Sequence, residues 1–139
     1  GDTSSSGGSA DLLFYTASSS QVGTERMRIT ADGRGLSQFT AKAWVNFNGT
    51  GTVAIRDSHN VSSITDNSAG NYRVNFSNNM ANADYAVGTS GGGSSSYTGN
   101  VKTDSTTYTR TASYLPLINF NTTPAQADAA SINAIVFGD

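Results

Sequence analysis

The 139-residue sequence predicts an all-β fold, an antiparallel β-sandwich over residues 41–139 preceded by a short extended neck within residues 1–40. Three observations carry this expectation. No segment sustains an apolar period of 3.6 residues, so no amphipathic helix is expected. From Lys42 onward, short runs alternate apolar and polar residues, the period of a half-buried strand. Clusters of Gly, Asn, Asp and Ser separate those runs at the close spacing of a sandwich or barrel.

The first ten residues, "GDTSSSGGSA", read as linker, and with no initiator Met they predict an excerpt of a longer chain. "DLLFYTASSS" is an apolar run followed by a Ser-rich loop. "TERMRITADGRG" gives a short strand with Met27 and Ile29 on one face and Arg26 and Arg28 on the other, ending at the Asp32-Gly33 turn. This part is too poor in core residues to be a domain and reads as a neck. Val45 and Phe47 then pair with Val53 and Ile55 across Gly49-Thr50-Gly51, the strongest hairpin signal in the chain. "NVSSIT" is a shorter strand and "DNSAGN" a turn. "YRVNFS" is a strand with Tyr72, Val74 and Phe76 on one side. "NNMANADYAVGTS" begins as a loop and ends as a strand carrying Tyr85 and Val87, and "GGGSSSYTGN" reads as a loop. "STTYTRTASYLPLINF" predicts a long Thr-rich strand, "NTTPAQADAA" another loop, and "SINAIVFG" the closing strand.

Leu, Ile, Val and Phe make up under a fifth of the chain, while Ser, Thr, Asn and Gly supply nearly half. One copy therefore has little apolar area to bury, and thin cores rely on disulfides, metals or partners. There is no Cys, which leaves association with other copies as the leading remedy. The net charge of −2, with eight basic residues scattered along the chain, gives no footprint for nucleic acid. No run approaches the ~18 apolar residues of a membrane span, and no signal-peptide pattern is visible.

Trp44, the only tryptophan, shares the second face of its strand with Lys42, Asn46 and Asn48. "YLPLINF" repeats the arrangement, with Leu115 and Leu117 facing one way and Tyr114, Ile118 and Phe120 the other. Either the neck folds over these second faces, or copies of the chain meet there.

Motifs for chemistry are sparse. Asp57 and His59 share a strand face, but Ser58 between them points away, so a catalytic triad would need a serine from elsewhere. Glycoside cleavage needs two opposed carboxyls, yet the single Glu, Glu25, lies in the neck, and Asp32, Asp66 and Asp104 fall at turns. No calcium-loop pattern or pair of zinc ligands occurs, so neither metal nor cofactor is expected. Gly91–Gly93 lacks the rest of a phosphate-loop motif. Asn48, Asn60, Asn75 and Asn121 head N-x-[ST] triplets, as expected by chance in such a composition.

"TERMRITADGRG" resembles the E-R-M-R-I-x-x-x-G segment of bacteriophage tail-fibre chains ahead of their terminal domains. The stretch from "KAWVNFNGTG" through "YRVNFSNNMANADYAV" resembles the C-terminal tip domain of those fibres, with Met80 to Tyr85 matching a Met-x-x-Ala-x-Tyr-like step. "INAIVFGD" is similar to the family's closing strand. The resemblance covers about residues 11–90 and 131–139, most specifically Lys42 to Phe76, and leaves 91–130 unmatched. It implies a homotrimeric fibre tip on the virion, extracellular when it acts and continuous with the rest of the fibre chain, and the sparse carboxyls make a non-enzymatic tip the expectation. Its partner would be a host cell-surface glycan or an outer-membrane protein. The trimer interface would include Trp44, Met27, Ile29 and Tyr114. Tyr97, Tyr108, Lys102 and Arg110, in the unmatched region, are the expected receptor contacts, because tyrosine offers both a stacking face and a hydroxyl and the cations suit anionic groups. The alternatives are a fibre-joint protein without a specific receptor, or a polysaccharide-cleaving tip.

Overall fold

The structure, a computed structural model, describes residues 10–17, 22–31, 33–37, 39–92, 97–103, 109–123 and 125–138, with the backbone alone for 97–102. Every named element is a β-strand, and every pairing is antiparallel. In the neck, β1 (Leu12–Thr16), β2 (Thr24–Ile29) and β3 (Gly35–Leu36) form a three-stranded sheet in that order. The segment predicted to be merely extended thus has a sheet of its own.

Beyond it, β4 (Ala43–Asn48), β5 (Ala54–His59), β8 (Ala86–Gly92) and β11 (Ser131–Phe137) form one sheet in the order β5-β4-β11-β8. Facing it, β6 (Val61–Ser68), β7 (Asn71–Phe76), β9 (Tyr97–Thr103) and β10 (Tyr114–Asn121) form the other in the order β6-β7-β10-β9. The predicted alternation decides what lies between the sheets. Val45, Phe47, Ile132 and Val136 enter from the first, and Tyr72, Val74, Leu115 and Leu117 from the second. Phe47 meets Tyr72 edge-on, with ring centroids 5.2 Å apart, the favoured geometry for an aromatic pair.

Polar tethers close this core. The Tyr72 hydroxyl lies 2.8 Å from the Gly49 carbonyl and 2.7 Å from an Asp128 carboxylate oxygen, and shares its proton between them. Burial, then the hydrogen bond to Asp128, pushes this hydroxyl well above the ordinary tyrosine range. The same Asp128 oxygen accepts the Gly70 N–H at 2.7 Å. Gly70 has φ +69°, and a Cβ there would stand 2.4 Å from the Ala127 nitrogen, so only glycine fits. At the opposite corner the chain passes from β5 to β6 through one residue, Asn60, at φ 56°. Its side-chain amide donates to the carbonyls of Lys42 and Asn78, and its oxygen accepts the Asn78 N–H. Asparagine tolerates the left-handed conformation partly because it can make such bonds.

Several predicted boundaries move. In the β4–β5 hairpin Val53 lies outside the strand, Phe47 pairs with Ile55, and Val45 faces Ser58 because a bulge at Arg56 inserts one residue. The "DNSAGN" turn shrinks, since β6 continues to Ser68 and pairs it with Asn71. The loop expected over 91–100 instead contains the end of β8 and the start of β9. The long strand expected from Ser105 begins only at Tyr114, after residues 109–113 run outside any strand.

Candidate functional site

Two faces stand out because no described residue forms a layer over them. The first belongs to the neck. Cross-strand pairs Leu12–Ile29 and Phe14–Met27 put four apolar side chains on one side of the β1–β2 ladder. Leu12 is 52% exposed and Phe14 47%. The charges lie elsewhere. Arg28, paired with Leu13, binds Asp11 at 3.0 Å and Glu25 at 2.8 Å. The hydrogen bond from Arg28 holds the Glu25 carboxyl below the usual carboxylate range. Met27 and Ile29, expected at a subunit interface, sit on this apolar side.

The second is the outer face of the β5-β4-β11-β8 sheet. Register sets two rows across it. One runs Asp57, Asn46, Asn133, Ser90; the other runs His59, Trp44, Ile135, Gly88. The first row is knit by amides. Arg56 Nη1 lies 3.4 Å from Asn46 Oδ1, Asn46 Nδ2 donates to Asn133 Oδ1 at 2.5 Å, and Asn133 Nδ2 donates to Ser90 Oγ at 3.2 Å. Asn46 also donates to Ser131 Oγ, and Arg56 reaches the Ala130 carbonyl. The second row is apolar from Trp44 to Ile135, with His59 at its β5 end. Trp44 is half-buried and Ile135 38% exposed. Between the rows runs a shallow groove of about 520 Å³, lined by Trp44, Asn46, Ser90, Asn133 and Ile135 with neighbouring backbone. Trp44 is therefore flanked within its sheet, with no second layer of described residues over it.

The other expected site residues scatter. Tyr97 and Lys102 lie on β9, whose side chains from 97 to 102 fall outside the described residues, as does Tyr108 entirely. Arg110 is engaged within the chain, donating to the Tyr85 carbonyl at 2.6 Å and to Thr103 Oγ1 at 3.1 Å, over the Tyr85 ring. Tyr114 carries the Arg73 guanidinium 4.4 Å from its ring centroid. These two aromatic rings each hold an arginine of their own chain. Asp57 and His59 do share a face, opposite Asn46 and Trp44, and Asp57 accepts the Ser58 N–H at 2.9 Å. Asn133, Ser90 and Gly88 were not singled out in the sequence. They reach the Trp44 face only through pairing with β11 and β8, and no local motif marks them.

No family model and no curated protein matches this sequence. Among solved structures, the chain is similar to the phiAB6 tailspike, crystallised in complex with three-repeated oligosaccharides of Acinetobacter baumannii surface polysaccharide. The TM-score is 0.55 at 12% identity, covering 97% of this chain and 29% of that one. The likeness is one of fold, and this chain spans less than a third of the tailspike's length.

Proposed function

We propose that this chain is the receptor-binding tip of a phage tail fibre, working on the virion as a homotrimer that binds a host surface glycan. The observation that carries the reading is the fold likeness to a tailspike over 97% of the chain. That tailspike was crystallised with surface-polysaccharide oligosaccharides, which makes a glycan the favoured receptor. The neck supports the trimer. A three-stranded sheet with an open apolar side gains stability when other copies cover it, at about 25 cal/mol per Å² buried. Met27 and Ile29 would then lie at the interface, joined by Leu12 and Phe14.

The tip acts by binding rather than cleavage. Asp11 and Glu25 bond Arg28, and Asp128 bonds Tyr72 and Gly70, which leaves Asp57 on β5, Asp66 on β6 and Asp84 before β8 as the other described carboxyls. Affinity at each site is modest, and three copies on each of several fibres raise it by avidity.

The test is binding of fluorescently labelled chain to a panel of encapsulated bacteria that includes Acinetobacter baumannii. Saturable binding to some strains, removed by periodate oxidation of surface glycans and retained after protease shaving, is the expected result. Binding lost to protease alone would point to an outer-membrane protein. Binding to no strain would leave a fibre joint. Release of reducing ends from the surface polysaccharide would contradict the non-enzymatic reading.

A further inference from the structure

The geometry points to the outer face of the β4–β11 ladder as the saccharide platform, where a neutral sugar ring stacks on Trp44 beside Ile135 while its hydroxyls bond the Asn46–Asn133–Ser90 row. This rests on the receptor-binding reading and names the surface that does the binding.

The two rows have complementary chemistry. A pyranose has an apolar face of C–H groups and a rim of hydroxyls. The apolar row offers an indole and an aliphatic side chain for the first. The amide row, directly alongside, offers carbonyl and hydroxyl oxygens for the second. A small side chain leaves room where the ring must sit. Gly88 ends the apolar row without a side chain, and a Cβ there would come 3.2 Å from Ile135 Cγ2.

The amide row is also preorganised. Its donors run one way, from Arg56 to Asn46 to Asn133 to Ser90 Oγ. Each amide is held by its neighbour, so little rotamer freedom remains to be lost on binding. The Ser90 hydroxyl, accepting from Asn133, keeps its proton to give to a ligand oxygen. Charge bears on the ligand class. The side chains from Trp44 and Asn46 across to Gly88 and Ser90 are uncharged, Asp57 and His59 stand on β5, and the Arg56 guanidinium that reaches in is already bonded to Asn46 and the Ala130 carbonyl, which suits a neutral hydroxyl-rich ligand. The groove volume lies within the ~300–1,000 Å³ of small-ligand sites.

A second copy of the chain is the competing occupant. It would gain contact with Trp44 and Ile135 but would have to bury the amide row, whose members already bond one another. Such a face is more polar than the apolar centre of a subunit interface.

Because Trp44 is the only tryptophan, its fluorescence reports this face alone. The intact chain is titrated with three-repeat oligosaccharides prepared from the surface polysaccharide of a strain that it binds. A saturable change in Trp44 emission is expected. Trp44→Ala, followed by calorimetry, is expected to weaken binding by roughly tenfold or more. Ser90→Ala, a milder change that leaves the core untouched, is expected to weaken it about three- to tenfold. Both variants should keep the wild-type mass in solution. Wild-type oligosaccharide binding with an unmoved Trp44 signal and unaltered Ser90→Ala affinity would overturn the platform and leave the receptor reading standing. A lower subunit count in Trp44→Ala, with unaltered affinity per chain, would assign the face to a second copy. Absence of any binding by the wild-type chain would remove both readings together.

Discussion

In the sandwich, Phe47, Tyr72, Leu115 and Ile132 are wholly buried, whereas in the neck Leu12 and Phe14 keep about half their surface in solvent. Both regions are antiparallel sheets from the same Ser- and Gly-rich chain. They differ in what faces their apolar sides. The sandwich has two four-stranded sheets whose alternating residues interlock, and tethers such as Tyr72–Asp128 seal the ends. The neck has one sheet, and nothing described in the chain lies over the Leu12–Phe14 side. A thin apolar composition is therefore concentrated where two layers meet, and in the proposed trimer other copies would cover the single layer.

The sharpest way to break this comparison is to damage the part said to be self-sufficient. Phe47→Ala removes a ring from the centre of the sandwich and should cost about 3–5 kcal/mol, read from urea denaturation of the tip. A loss below about 1 kcal/mol would mean that the sandwich core is looser than its burial implies.

Next in size is the neck. Replacing Leu12 and Phe14 together by Ser should weaken subunit association by about 1.5 kcal/mol per chain, half of the lower end of ~1.5–3 kcal/mol per fully buried side chain, because each is already about half buried. Tip unfolding should move by no more than about 0.5 kcal/mol, as for surface changes. A large loss of tip stability with unchanged association would reverse the roles given to the two regions.

The smallest effect is electrostatic. The folded carboxyl of Glu25 titrates below its ordinary value because Arg28 donates to it. Its contribution is therefore present above about pH 4.5 and is lost as pH falls through the lowered folded value. The neck sheet should loosen in that acid window while the sandwich keeps its near-ultraviolet circular dichroism. Glu25→Gln should abolish that Glu25-dependent part of the pH response.

These contrasts were unevenly legible in the sequence. The β4–β5 hairpin could be read because Gly49-Thr50-Gly51 is a local turn between alternating runs, and alternation identified the faces of β4, β7 and β10. The bulge at Arg56 could not, since a bulge is fixed by cross-strand register rather than by composition. The stretch 91–100, which holds the end of β8 and the start of β9, reads as a loop because its Gly and Ser content mimics one. Its strands are defined by backbone pairing to β11 and β10, which side-chain pattern does not report. Trp44 was visible as an oddity on a polar face, but its neighbours come from β8 and β11, far away in the chain. The same holds for the neck. Met27 and Ile29 stood out, while Leu12 and Phe14 joined them only once β1 paired with β2.

The most direct test of the account is the mass of the intact chain by light scattering across a range of concentrations. Neck-driven assembly predicts a stable mass of three times 14.4 kDa for the wild type. The Leu12→Ser, Phe14→Ser double variant should fall to a folded 14.4 kDa monomer. A wild-type chain that stays a folded monomer at every concentration would contradict the claim that the neck's open face is a subunit interface.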